Sequence, residues 1–271
     1  MFFQAFQPSG IISDFVEWYL VFEDDGDLKN VSMAIVPNGV SEIAFHFGAP
    51  VRSYINYPGE IKSAYIYGSH NRLGVFAASG NIKCLCVMFK PCGACRIFGI
   101  PQMEMHNYAV ELDELCWSDG KRVTEKVIAA ASHEERIRAV DQFLIRQFKR
   151  TKDSVIKICH TVSLIQKNNG VIRIKDLGRK LQTGIKTLER RFKDTLGLNP
   201  KEYASIVRLN HVYQLVRGRK DIDVQDIVYK CGCYDQSHFI NDVKWFAGLK
   251  TGDLVAAADE HVIYVNRMYA C

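Results

Sequence analysis

Two stretches near the end of the chain stand in register at an offset of 51, pairing Leu188 with Phe239, Phe192 with Val243, Lys193 with Lys244, Gly197 with Gly248 and Leu198 with Leu249. A repeat of this kind means one structural unit built twice. Each copy reads as a short helix ("IRIKDLGRKL"; "DVQDIVYKC"), a tight turn ("QTG"; "GCYDQ") and a second helix ("IKTLERRFKDTLG"; "SHFINDVKWFAG"). That order is a helix-turn-helix. In the first copy Leu188, Phe192 and Leu196 form one stripe, and Lys186, Glu189, Arg190 and Lys193 form another. A helix that enters a DNA groove needs both: an apolar stripe to anchor it to its own domain and long polar side chains to reach base edges. The alternative is an amphipathic surface helix of an all-α domain.

Ahead of the repeat the texture is different. Segments such as "VSMAIVPNGVSEIAFHF", "SAYIYGS", "RLGVFAAS" and "IKCLCVMFKP" are rich in β-branched and aromatic residues, with turn residues between them, including Pro37-Asn38-Gly39 and Gly80-Asn81. Closely spaced short strands predict an antiparallel sandwich or barrel. From Val123 the apolar spacing becomes helical (Val123, Val127, Ile137, Val140, Phe143, Leu144, Phe148), and Ser132 followed by Glu135 is a capping box. The expected class is α+β: a β domain over residues 1–122, a helical connector over 123–152, a double helix-turn-helix domain over 153–255 and a tail over 256–271.

Charge separates the two halves. Residues 1–150 hold 15 Lys+Arg against 17 Asp+Glu, and residues 151–271 hold 20 against 13, so the helical half is the one suited to a polyanion. "MFFQAFQPSG" lacks the basic region and long apolar core of a signal peptide, and no apolar run has the length of a membrane span. The expectation is a cytoplasmic protein. Nine cysteines on such a chain fit reduced thiols better than a disulfide framework. No nucleophile with its base, phosphate loop or paired carboxylates stands out, so no enzymatic activity is expected.

"KTLERRFKDTLGLNPKEYASIVRLNHVYQLV" followed by "VQDIVYKCGCYDQSHFINDVKWFAGLKT" resembles the DNA-binding region of the AraC family of bacterial transcription regulators. Leu188, Arg190, Phe192, Gly197, Pro200, Tyr203 and Arg208 fit the first part of the family pattern; Gly232, Ser237, Phe239, Lys244 and Gly248 fit the second. The resemblance implies two units joined by a long helix, meeting successive major grooves on double-stranded DNA. On that basis Lys186, Glu189, Arg190, Gln236, Ser237 and Asn241 are the candidate base contacts. Arg191, Lys193, Lys201, Lys244 and Lys250 are the candidate phosphate partners. Arg208, within the connecting helix, is expected to be structural. The chain departs from the pattern at Gly184, where a capping serine is usual and Thr183 could cap instead, and at Val228, Val243 and Thr251-Gly252.

The strand-rich segment looks like the cupin-like companion domains of some members, which sense a small molecule or dimerise. The resemblance implies a small-molecule effector and homodimerisation through the companion domain, here residues 1–150; because residues 152–271 hold two helix-turn-helix units of their own, that fragment is expected to fold and to bind DNA as a monomer, more weakly. Phe45, Phe47, Tyr54, Tyr65, Tyr67, Phe76 and Phe89 could line an effector pocket, or could simply be core. His46, His70 and His106 are isolated, so no cupin metal and no cofactor are expected. Cys84 with Cys86 and Cys92 with Cys95 could hold zinc or respond to redox state, but structural thiols are the simpler reading. The leading expectation is a signal-responsive transcription regulator. The competing one is a signal-binding or catalytic β domain with a helical protein-interaction module.

Overall fold

Alternation along the strands decides which residues of the N-terminal half meet which layer. The computed structural model describes residues 2–24, 31–53, 59–61, 63–78, 80–151, 156–216, 229 and 236–248. Ten strands form two antiparallel sheets. The larger has the order β1 (Phe2–Phe6), β2 (Val16–Asp24), β9 (Ile82–Phe89), β4 (Glu42–His46), β7 (Ala64–Tyr67), β10 (Ala109–Glu111). The smaller has the order β3 (Val31–Ile35), β8 (Gly74–Ala78), β5 (Val51–Ser53), β6 (Gly59–Ile61). Side chains on a strand point alternately to opposite faces. Ala44 on β4, Tyr65 and Tyr67 on β7, and Ile82 on β9 therefore meet Val51, Ile61 and Phe76 of the small sheet. Their neighbours Ile43, Phe45, Ile66, Leu85, Val87 and Phe89 face the other way, into helices.

Those helices are α1 (Gly93–Phe98), α2 (Leu112–Ala129) and α3 (His133–Arg150). Val123, Val127, Val140, Phe143 and Leu144 are fully buried against the large sheet. The capping box forms: Ser132 Oγ accepts from the Glu135 amide, and the Glu135 carboxylate accepts from the Ala131 amide. Tyr19 on β2 hydrogen-bonds Asp141 on α3. Two expectations change here. Helix begins at Leu112, ahead of Val123, and residues 123–150 are a covering layer of the β domain as well as a connector.

The C-terminal half contains α4 (Ile156–Lys167), α5 (Ile174–Lys180), α6 (Ile185–Leu196), α7 (Pro200–Val216) and α8 (Gln236–Ala247). Asn199 and Glu202 cap the start of α7 reciprocally, each amide donating to the other side chain at 2.9 Å. The repeat is visible in burial: Leu188 and Phe192 on α6 and their partners Phe239 and Val243 on α8 are all at or below 1% exposure. Gly197 and Gly248 end these two helices at positive φ, +77° and +65°. In the second copy the segment expected as its first helix, apart from Tyr229, and most of the following turn lie outside the described residues, Val228, Cys231, Gly232 and Cys233 among them.

The helical domain does not stand apart from the β domain. Val36 and Cys92 belong to the same apolar cluster as Leu188, Phe192, Tyr203 and Phe239. A fragment cut at residue 152 would expose part of that cluster, which counts against the expectation that it folds unaided.

Candidate nucleic-acid interface

The helix α6 buries Leu188, Phe192 and Leu196 and leaves Lys186, Glu189, Arg190, Arg191 and Lys193 exposed. This is the separation of faces that a four-residue apolar spacing requires. Among the described residues no carboxylate pairs with Lys186, Arg190, Arg191 or Lys193. Four cations against the two carboxylates of Glu189 and Asp194 leave this helix net positive, a surface that attracts phosphate. Its N-terminus differs from expectation. Gly184 precedes the helix without a side-chain cap, and Thr183 donates its hydroxyl to the Leu181 carbonyl at 3.0 Å instead of capping.

On α8, Phe239, Val243 and Phe246 are buried while Asn241, Lys244 and Trp245 are exposed. Gln236 and Ser237 occupy the first turn of this helix. Lys201 is exposed near the start of α7. Lys250 lies outside the described residues. Arg208 on α7 donates to Asp242 Oδ2 at 2.8 Å, to Ser205 Oγ at 3.0 Å and to the Gly170 carbonyl at 3.4 Å. It thus holds the second recognition helix against the connecting helix.

Residues of the N-terminal half hold α6, α7 and α8 from behind. Ser69, two residues beyond β7, donates its hydroxyl to the Leu196 carbonyl at the C-terminal end of α6. A Cβ on Gly197 would lie 2.7 Å from Ser69 Oγ and 2.9 Å from the Gln102 carbonyl. Gly39 lets the Tyr203 ring approach in the same way, within 2.8 Å of where its Cβ would be. Asn210 donates to the Pro37 carbonyl at 3.1 Å, and Arg72 lies over the Trp245 ring at 4.8 Å. Glycines, a serine and main-chain carbonyls carry no periodic signal. The motif matches at Gly197 and Tyr203 and the turn signal at Gly39 were the sequence hints.

The residues suggested for an effector pocket fall into two groups. Tyr67 and Phe76 line a cavity of about 90 Å³ between the sheets, together with Leu20, Phe22, Glu42, His46 and others. Tyr65 packs in the same layer. Phe45 and Phe89 lie on the opposite face of the large sheet, and Phe47 joins them under the Arg136 guanidinium at 4.5 Å. Tyr54 lies outside the described residues. Burial pushes the Glu42 carboxyl up to about 7 and the His46 imidazole down to about 4. His70, also buried and close to His106, is lowered to about 4. His106 is lowered too, chiefly by burial, and shares a 2.8 Å hydrogen bond with the Ser69 carbonyl.

Cys84 and Cys86 both face the cavity, with sulfurs 3.8 Å apart. Cys92 sits beside Cys159 of α4 rather than pairing with Cys95, and both the Cys92 and Cys95 thiols are pushed up, Cys92 first by its hydrogen bond with the Cys159 side chain and Cys95, to about 11, first by burial. Such thiols are poor nucleophiles and poor metal ligands at neutral pH. Among the described residues no group of three or more His, Cys, Asp or Glu side chains could hold a metal ion. No described helix is long and apolar enough to cross a membrane.

Residues 4–111 match a family described as "Domain of unknown function (DUF6597)", and residues 177–254 match one described as "Helix-turn-helix domain". The HTH-type transcriptional activator RhaS of Citrobacter koseri is 35% identical over 65 residues, and that of Klebsiella pneumoniae 34% over 65 residues. In both cases the match covers 24% of this chain and 23% of the relative, so the similarity spans under a quarter of either protein. Among solved structures, ToxT from Vibrio cholerae aligns over 87% of this chain and 97% of its own at 14% identity, with a TM-score of 0.47. ToxT bound to an unsaturated fatty acid aligns over 88% and 94% at 14% identity, with a TM-score of 0.45. Residues 177–254 thus form a helix-turn-helix domain similar to that of the RhaS activators, with the AraC-type motif residues placed on α6, α7 and α8, behind an N-terminal companion domain.

Proposed function

We propose that the protein is a sequence-specific DNA-binding transcription regulator that responds to a small molecule through its N-terminal domain. The observation that carries this reading is the exposed cation set on α6, which has no carboxylate partner among the described residues, backed by the buried Leu188, Phe192 and Leu196, with α8 repeating the separation of faces. Lys186, Glu189, Arg190, Gln236, Ser237 and Asn241 are proposed to meet base edges. Arg191, Lys193, Lys201, Lys244 and Lys250 are proposed to meet phosphates.

Two copies of the chain are proposed to associate through residues 1–150. The edge strand β1 supports this, since Phe2 and Phe3 are 42% and 37% exposed on a strand with one side unpaired among the described residues. The protein is proposed to act in the cytoplasm and to have no enzymatic activity.

Titration of the full chain with genomic and scrambled duplexes over a range of salt tests the reading. A preferred site, with affinity falling linearly against the logarithm of salt concentration, is the expected result. Equal binding to all duplexes, or none, contradicts it. Sedimentation of the same sample tests the dimer.

A further inference from the structure

The cavity between the sheets has walls that are almost wholly apolar, and yet it contains polar groups with nothing to bind. Glu42 lies opposite both Met88 on β9 and Tyr67 on β7, and His46 lies opposite Cys84, so these side chains share one face of the large sheet. Tyr67 Oη and both ring nitrogens of His46 are buried without a hydrogen-bond partner among the described residues. Leaving buried polar groups unsatisfied is costly, and such groups call for an explanation in a native structure. A water meets these polar groups but leaves the rest of the wall, which is apolar, unfilled.

Among the described residues the titratable groups facing the space are Glu42 and His46 on β4, Tyr67 on β7, and Cys84 and Cys86 on β9; the remaining described lining is apolar, and none of it is a lysine or arginine. The cavity therefore has a carboxyl without a cation. A carboxylate or phosphate ligand would meet Glu42 with nothing to balance it. An ammonium group meets an acceptor, and the aromatic rings of Tyr67 and Phe76, 5.5 Å apart, add a favourable quadrupole. A dry cavity of about 150 Å³ holds benzene, so this smaller one suits roughly four to six heavy atoms.

We propose that this cavity binds a compact aliphatic amine as its ammonium ion, with Glu42 taking the charge, Tyr67 and His46 accepting the remaining hydrogen bonds, and the apolar walls enclosing the alkyl group. The inference deepens the signal-sensing part of the proposed function and rests on it. It also gives the signal a route. Tyr67 ends β7, and Ser69 two residues on holds the end of α6; Ile35 lines the cavity from β3, and the Pro37 carbonyl holds Asn210 of α7. Filling the cavity presses on two strands that each grip the DNA-binding domain within two residues.

Calorimetric titration of the full chain with isobutylamine, isobutanol and isobutyrate tests it, since the three share a shape and differ in charge. The amine should bind at least tenfold tighter than the alcohol near pH 8, and isobutyrate should not bind. Because Glu42 titrates at about 7, amine affinity should fall about tenfold between roughly pH 8 and pH 6. Glu42→Gln should bring the amine to the level of the alcohol, and Ala44→Leu, which fills the space, should abolish binding of both. Isobutyrate or isobutanol binding as tightly as the amine, an unchanged amine affinity in Glu42→Gln, or no amine binding at all would overturn the proposal. DNA titration of the ligand-free protein separates the two failures: a preferred site without amine binding rejects the ligand alone, and amine binding without a preferred site rejects the regulator reading alone.

Discussion

Arg208 on α7 and Asp242 on α8 form a 2.8 Å ion pair, each side chain about one quarter exposed. Through it the connecting helix sets the position of the second recognition helix. Because Arg208 also reaches Ser205 and Gly170, its removal strands Asp242 and loosens two further contacts. Arg208→Ala should cost about 1–2 kcal/mol of stability, allowing for partial solvent exposure. It should also weaken DNA binding without altering the preferred sequence. A double-mutant cycle with Asp242→Ala, read by urea denaturation, measures the coupling.

Arg190 and Lys193 are both exposed on α6 but are assigned different work. Arg190→Ala should weaken binding to the preferred site by about 1–3 kcal/mol and relax preference at one base pair, because a bidentate contact is lost. Lys193→Ala should weaken all duplexes alike and reduce the salt slope by about one. Anisotropy titrations on specific and scrambled duplexes distinguish them. Equal losses on both duplexes for Arg190→Ala remove it from the base-reading set.

Gly197 combines a φ of +77° with a Cβ position 2.7 Å from Ser69 Oγ. Gly197→Ala should therefore destabilise by about 1–3 kcal/mol, from backbone strain together with the displaced joint. Ser69→Ala removes the hydroxyl that holds the Leu196 carbonyl while leaving the backbone of α6 unstrained. It should raise amide hydrogen exchange at the C-terminal end of α6 at smaller cost, which exchange measured by mass spectrometry reads directly.

Glu42 and the buried histidines move stability in opposite senses. With Glu42 raised from 4.5 to about 7, the folded state holds its proton where the unfolded state has lost it, so this group's contribution declines as pH rises from about 4.5 to 7. With His46 and His70 lowered from 6.5 to about 4, the unfolded state binds protons that the folded state refuses, so their contribution is lost as pH falls from about 6.5 to 4. Glu42→Gln should thus be stabilising near pH 8 by up to about 3 kcal/mol, with the gain gone near pH 4.5. Thermal denaturation of both proteins across this range checks it; a gain at low pH alone contradicts the sign.

The recognition helices were legible because burial of one face forces a four-residue apolar spacing, and Leu188, Phe192, Phe239 and Val243 keep it in both copies. The strands were legible for the matching reason, at period two. The cavity was not. An aromatic side chain says that a position is buried without saying toward which layer, and a one-residue step separates Ala44 on the cavity face from Phe45 on the helix face. Helix from Leu112 was missed because the polar stretch "LDELCWSDGKR" carries few apolar positions to set a period, and α2 departs from helical backbone at Trp117 (φ +48°, ψ −131°). Thr183 looked like a cap from its place alone, yet its hydroxyl turns back to Leu181.

The fit of Tyr203 over Gly39 bears on how such proteins could be recombined. A ring laid against a position with no room for a side chain is a key in a lock: each domain must keep its half for the other to seat. A chimera that grafts a foreign DNA-binding domain behind residues 1–150 would inherit the lock without the key unless an aromatic stands at position 203 and glycine at 197. Exchange of either domain has to preserve that packing.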